Sequence, residues 1–132
     1  MMDGKGGAIM QLKKVLELIN EHKPNKYSDK DKIRWINEIE HTVMDEVLHR
    51  YEAYKHMEFV PYTEADMDKD VLVPDEYCDV YFFYVASKMD ALRGESDRYN
   101  NATVLFNGMW DSYASWMMRH NTPVSLGQVR KW

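Results

Sequence analysis

Apolar residues recur at helical spacing in the first half of the chain. Between residues 8 and 22 they lie three and four positions apart, which predicts a short amphipathic helix that ends before Pro24. A second, longer run predicts a helix to about His56, and Ser28 with Asp31 in front of it resembles a capping box. The apolar positions of these two helices are Ile9, Leu12, Val15, Leu16 and Ile19, then Ile33, Ile36, Ile39, Val43, Val47, Tyr51 and Tyr54.

The second half predicts two further helices separated by Gly94. Pro74 suits the first turn of the third helix, with Asp75 close to the positive end of the helix dipole. Gly94 suits the end of that helix, and Asp97 suits the cap of the fourth, which ends at Thr122-Pro123. Their apolar positions are Tyr77, Val80, Tyr81, Tyr84, Val85, Met89 and Leu92, then Ala102, Leu105, Phe106, Met109, Trp110, Tyr113, Trp116 and Met117.

Residues 57–73 lack this spacing. Pro61 interrupts them, and only residues 71–73 have strand character. We therefore predict an all-α fold, a small bundle of three to four helices with one long acidic loop and an extended C-terminal tail. The expected organisation is a flexible N-terminus over residues 1–7, a single helical domain over 8–123 and a tail over 124–132.

Composition narrows the class of protein. The chain has 132 residues, a single cysteine (Cys78) and a formal net charge of −5. One cysteine cannot form an internal disulfide, and no apolar run approaches the roughly 18–20 residues that span a bilayer. The start of the chain lacks a signal-peptide pattern, and the negative balance disfavours a protein that binds nucleic acid over its whole surface.

The net charge hides a strong segregation. Residues 58–79, called the acidic segment below, hold eight acids and one base, whereas the rest of the chain holds 14 acids and 16 bases. The last fourteen residues contain three bases and no acid. A solvated loop and a frayed terminus would explain this pattern, and so would the two halves of a head-to-tail interface. The candidate interface residues are Asp66, Asp68, Asp70, Arg130, Lys131 and Trp132.

Aromatic and sulfur-containing residues are also unusually abundant. Nine Tyr, four Trp and ten Met fit either an adaptable core or protein–protein contacts, where these residue types are enriched. We expect Trp35 and Trp110 to belong to the core.

Candidate chemistry is weak. One face of the predicted second helix would carry His41, Asp45, His49, Glu52 and His56. Because no other helix supplies matching ligands, a polar stripe is favoured over a metal site. Cys78 has acidic neighbours and no nearby histidine, and we expect it to be buried and inert. Asp66, Asp68 and Asp70 begin like a calcium loop but lack its glycine and terminal glutamate. We predict neither enzymatic activity nor a cofactor.

Several segments resemble a known family when they are read in order. The stretch from about residue 30 to residue 123 is similar to the small helical head-completion, or head–tail connector, proteins of tailed bacteriophages and prophages. The segments that carry the resemblance are Trp35-Ile36-x-Glu38-x-Glu40, Leu72-Val73-Pro74-Asp75-x-Tyr77-x-Asp79-Val80-Tyr81, Met89-Asp90, Glu95-x-x-Arg98-Tyr99-Asn100-Asn101, Phe106-Asn107 and Tyr113.

The resemblance implies a non-enzymatic structural protein of the virion. Such an adaptor docks on the portal protein, commonly as a ring of twelve copies, and extends the channel through which DNA passes without sequence recognition. It also presents a platform to the next neck or tail protein, a stopper or tail terminator. The implied location is the capsid–tail neck, after assembly in the host cytoplasm, with no membrane association. Alternatives are another neck or tail-completion protein, a small helical DNA-binding or regulatory protein, and, behind these, a metal-binding helical enzyme.

The motif residues have structural roles in this interpretation. Pro74, Asp75, Gly94, Asp97, Asn100 and Asn101 are expected to set helix ends and turns. Arg98 is expected to pair with Glu95 or with Glu38 or Glu40 of the second helix, locking the corner between the third and fourth helices if the pair is buried.

Overall fold

Four α-helices and a small antiparallel sheet form the fold in residues 8–125, the part of the chain that this computed structural model describes. The helices are α1 (Leu12–His22), α2 (Asp29–Glu46), α3 (Asp79–Leu92) and α4 (Ser96–His120), and the strands are β1 (Ile9–Gln11) and β2 (Asp70–Pro74). Short 3₁₀ turns cover Leu48–Arg50, Glu52–Tyr54, Glu64–Asp66 and Asp75–Tyr77. The predicted helical character is confirmed, with the sheet as an addition. The predicted N-terminal segment and residues 126–132 of the predicted tail lie outside the described residues.

The core lies between α1, α2 and α3. Each of these helices buries one apolar face, and α4 packs mainly on α3. Tyr81 and Tyr113 are the largest fully buried side chains, and Trp35 is only 3% exposed, as expected for a core residue. Trp110 is half-buried against the same core. Some of the abundant tyrosines are therefore core residues.

Two predicted helix ends are confirmed in atomic detail. The Ser28 hydroxyl accepts a hydrogen bond from the backbone N–H of Asp31 at 3.1 Å and caps α2. Gly94 has a φ of +70°, the left-handed conformation in which glycine carries no steric penalty, and it separates α3 from α4.

The predicted first helix begins later than expected. Residues 9–11 form β1, which pairs with β2 through Ile9 opposite Pro74 and Gln11 opposite Asp70. Ile9 falls within the predicted helix because its spacing to Leu12 is three residues. Its side chain is 38% exposed, so it does not belong to the buried face of α1.

The predicted second helix is too long. α2 ends at Glu46, and the chain continues in 3₁₀ turns to Tyr54. Tyr51 is extended and pairs with Pro123, while Glu52 N–H donates to the carbonyl of Thr122 at 2.9 Å. Val47 is buried at the end of α2, where its N–H still bonds to the carbonyl of Val43, and the three-residue period of the following turn keeps Leu48 and Tyr51 on the core side. The apolar spacing therefore continues after the α-helix has ended.

The predicted start of the third helix also differs. Pro74 ends β2, Asp75–Tyr77 form a 3₁₀ turn, and α3 begins at Asp79. α4 begins at Ser96, so Asp97 lies in its first turn and is not the cap. Asn100 and Asn101 lie inside α4, exposed, rather than in the turn that was predicted for them. Two asparagines in sequence suggest a turn, but the packing of α4 on α3 overrides that weak preference.

Candidate assembly interface

The acidic segment is fastened to the helical body by one buried carboxylate, Glu40 of α2. Its Oε1 accepts a hydrogen bond from the Tyr81 hydroxyl at 2.6 Å, and its Oε2 accepts from the Tyr62 hydroxyl at 2.6 Å and from the backbone N–H of Leu72 at 3.0 Å. The Tyr81 oxygen in turn accepts from the N–H of Val73 at 2.9 Å. These hydrogen bonds connect the loop and β2 to α2 and α3.

Burial and hydrogen bonding act on Glu40 in opposite directions. The side chain is fully buried, and loss of water raises the pKa of its carboxyl to about 7, although the three donors limit the rise because they favour the ionised form. The pKa values of Tyr62 and Tyr81 are also raised, by burial first and then by the nearby carboxyl. Both tyrosines therefore stay protonated and keep donating at neutral pH.

Further contacts hold the loop before β2. The side-chain oxygen of Asn37 accepts from the N–H of Tyr62 at 2.9 Å, and its nitrogen donates to the Tyr62 carbonyl at 3.1 Å. Thr63 and Asp66 form a capping box, in which the Asp66 carboxylate accepts from the N–H of Thr63 at 2.7 Å. That hydrogen bond lowers the pKa of Asp66 below its usual value. The loop is therefore defined by specific bonds at successive residues.

The acidic segment also caps the start of α1. The N–H of Leu12 donates to the carbonyl of Lys69 at 2.8 Å, and the N–H of Lys13 donates to the carbonyl of Met67 at 3.0 Å. First-turn N–H groups have no partners within their own helix, so these two carbonyls satisfy donors that would otherwise be free. Acidic side chains near this end are favoured by the helix dipole. The negative surface is consequently fixed at the N-terminal end of α1.

The three predicted interface aspartates have different surroundings. Asp68 is 82% exposed, with the Lys13 ammonium 2.9 Å from its carboxylate. Asp70 is exposed on β2. Asp66 is half-buried and used in the capping box, with Lys69 at 3.5 Å. Of the three predicted residues, therefore, only Asp68 and Asp70 are exposed. The other predicted interface residues, Arg130, Lys131 and Trp132, lie outside the described residues.

Basic residues gather at the opposite end of α1. Lys26 and Arg93 line one shallow cavity beside Tyr27, and the Arg93 guanidinium lies 5.8 Å from the centre of the Tyr27 ring. Neither Lys26 nor Arg93 forms an ion pair with any residue in 8–125. We call Lys26 and Arg93 the basic corner. Since α1 has 11 residues, this corner and the acidic segment are separated by about 16 Å along its axis.

A buried ion pair stabilises the structure next to the basic corner. Asp90 of α3 is 2% exposed, and the Lys23 ammonium, 19% exposed, lies 2.9 Å from its Oδ1 as an ion contact rather than a well-aligned hydrogen bond. Lys32 is also buried, and its ammonium donates to the side chains of Asn20 and Asn25 at 2.7 and 3.1 Å. Both contacts anchor the end of α1, so the motif residue Asp90 has a structural role.

The remaining motif residues are not brought together into one site. Arg98 pairs with Glu95 at 3.7 Å, the first of the predicted alternatives, but the pair lies on the surface and so does not form a buried lock between α3 and α4. Tyr84 and Lys88 of α3 contact Glu38 instead, at 2.8 and 3.2 Å. Tyr77 packs against Tyr113, whereas Tyr99 is 41% exposed.

The chemical candidates are not assembled into a reactive site. Because α2 ends at Glu46, the row from His41 to His56 does not share one helix face, and His49 contacts the carbonyl of Met57 at 2.8 Å. Residues 8–125 contain no group of three or more potential ligands placed to hold a metal ion. Cys78 is buried as expected, and burial raises the pKa of its thiol to about 11.

Sequence reasoning missed the importance of Glu40, although a signal was present. Ile33, Ile36, Glu40, Val43 and Val47 follow the three-and-four spacing, so a carboxylate occupies a core position of the pattern. A charge at such a position requires buried donors. Tyr62 had no comparable signal because its partner is 22 residues away.

Comparison with known proteins finds no match for this chain among protein-family models, curated proteins or solved structures. None of the helices in residues 8–125 combines the length and apolarity needed to cross a membrane.

Proposed function

We propose that the chain is a head–tail connector protein of a tailed phage or prophage, which forms an adaptor ring on the portal and links the capsid to the next neck or tail protein. The ordered sequence segments that resemble this family support the proposal, and so does the mostly helical fold. The observation that carries it furthest is the separation of charge: the acidic segment lies at one end of α1 and the basic corner at the other.

A ring of identical subunits needs two different, complementary patches on each subunit. In a head-to-tail contact two different patches of each subunit meet, and the rotation between neighbours closes the assembly. Asp68 and Asp70 on one subunit would meet Lys26 and Arg93 on the next. Charge complementarity of this kind fixes register and speeds encounter more than it adds affinity. The ring would therefore assemble readily at low salt and weaken as salt rises.

Native mass spectrometry of the protein, alone and with the portal protein of the same phage or prophage, tests the proposal. We expect a ring of about twelve copies on the portal. Lys26→Glu with Arg93→Glu should abolish the ring, and Lys14→Glu, a single charge reversal at the acidic end of α1, should not. Absence of any portal complex at low salt would overturn the proposed function.

A further inference from the structure

The outward face of α4 has almost no charge along most of its length. α4 has 25 residues and buries only Ala102, Tyr113 and Met117. Between Arg98 and Arg119 the sequence contains one charged residue, Asp111. Of the exposed apolar side chains in this stretch, Val104 (66% exposed) is on the outward face, and Leu105 (44%) and Met118 (66%) lie to its two sides. Depletion of charge together with exposed apolar residues is typical of the centre of a protein–protein interface.

Gly108 lies at the middle of this face. With about 100° between successive residues of a helix, Gly108 points away from the buried side of α4. A Cβ added at Gly108 would meet no atom within 4 Å, so the space in front of it is open. The residues aligned with Gly108 form what we call the α4 strip: Asp97, Asn101, Val104, Gly108, Ser112, Ser115 and Arg119.

The two ends of the α4 strip have opposite charges at equal distances from its centre. Asp97 precedes Gly108 by eleven residues, and Arg119 follows it by eleven. Neither side chain takes part in any ion pair within the described part of the chain. They are about 33 Å apart along one helix, so they cannot meet within one copy.

We infer that the α4 strip is a docking surface for a second copy of this chain, with the two α4 helices antiparallel about a two-fold axis at Gly108. In that arrangement Asp97 of each copy meets Arg119 of the other, and Val104 lies level with Ser112 of the other. When a second α4 strip runs antiparallel to the first, the positive end of each lies on the negative end of the other. This charge complementarity favours a second copy over an unrelated partner. The absence of a side chain at Gly108 allows the helices to approach closely where they cross.

The size of this surface sets the strength of the contact. A helix of 25 residues is about 37 Å long. We expect one such helix pair to bury less than the roughly 1,200 Å² at which standard stable interfaces begin. The dimer is therefore weak and depends on concentration. Because a two-fold contact closes at two copies, it differs from the head-to-tail contact of a ring, and the inference does not rest on the proposed function.

Cysteine cross-linking tests the geometry directly. Gly108→Cys should form a disulfide-linked dimer under mild oxidation on a non-reducing gel. Val104→Cys and Ser112→Cys are matched controls: each places its two cysteines about 12 Å apart along the axis, beyond the roughly 7 Å limit between Cα atoms of a disulfide. Mixing these two variants should give the cross-linked heterodimer. Failure of Gly108→Cys to cross-link, or equal cross-linking at all three positions, would overturn the inference.

A charge exchange supplies an independent test by sedimentation. Asp97→Arg or Arg119→Asp alone should weaken dimerisation on the order of tenfold, because each places like charges together twice per dimer. The double variant should return towards the original affinity. Each single change opposes the dipole at its helix end, so the double variant carries both costs and recovery cannot reflect a more stable fold. A double variant that dimerises no better than either single variant contradicts the inference.

Discussion

Glu40 of α2 and Asp68 of the acidic segment are carboxylates with opposite surroundings. Glu40 is fully buried and accepts three hydrogen bonds from different elements, whereas Asp68 is 82% exposed and contacts one lysine. A buried acceptor leaves its donors without partners when it is removed, while water replaces an exposed one. The fold therefore requires the buried carboxylate of α2 that holds the acidic segment, whereas an exposed carboxylate of the segment itself can contact a partner at little cost in stability.

The largest effect should come from removing the buried acceptor. Glu40→Ala removes the acceptor of the Tyr81 hydroxyl and of the Leu72 N–H, leaves the Tyr62 hydroxyl with only the carbonyl of Asp70 at 3.4 Å, and also creates a cavity. We expect a loss of about 3–5 kcal/mol in the free energy of unfolding at pH 6, from the unpaired donors and the cavity together. Urea denaturation followed by circular dichroism measures it. Glu40→Gln, which keeps the shape and one acceptor oxygen, should cost less, and equal losses for the two variants would mean that the hydrogen bonds are not the cause.

The pH dependence of stability should single out Glu40. Its pKa is raised to about 7 in the folded protein, so between about pH 4.5 and pH 7 the folded state binds more protons at this site than the unfolded state. Stability from this group is thus fully present below pH 4.5 and is lost as pH rises to about 7. We expect the advantage of the native protein over Glu40→Gln to shrink by roughly 3 kcal/mol across this range. An advantage that grows with pH would contradict the raised pKa.

The helical part of the fold could be predicted because its signals are local. Apolar spacing located all four helices, Ser28 marked the start of α2, and Gly94 marked the end of α3. β1 could not be predicted, because three residues next to a helix pair with a strand about 60 positions away. The end of α2 could not be predicted either, since the 3₁₀ turn that follows keeps the side chains of Leu48 and Tyr51 on the core side.

The candidate site could be predicted only as a region. Charge counting located the acidic segment, but it gave Asp66, Asp68 and Asp70 the same role. The difference between them depends on where each carboxylate points: that of Asp66 turns back to the N–H of Thr63, whereas that of Asp68 faces solvent. Orientation of this kind follows from the turn at Glu64–Asp66, and residue spacing does not reveal it.

The smallest predicted effects are those of replacing Asp66 and Asp68. Asp68→Ala should leave the melting temperature unchanged, because an exposed ion pair contributes little to stability. Asp66→Ala removes the capping box and should increase amide hydrogen exchange at Thr63, whose N–H loses its acceptor, with a smaller increase at Ala65. Exchange measured by NMR compares the two variants at the same residues. If Asp68→Ala loosened Thr63 as much, the two carboxylates would share one structural role, and the acidic surface could not be changed without disturbing the loop. If only Asp66→Ala does so, Asp68 is the residue through which contacts between subunits can be altered while the fold stays intact.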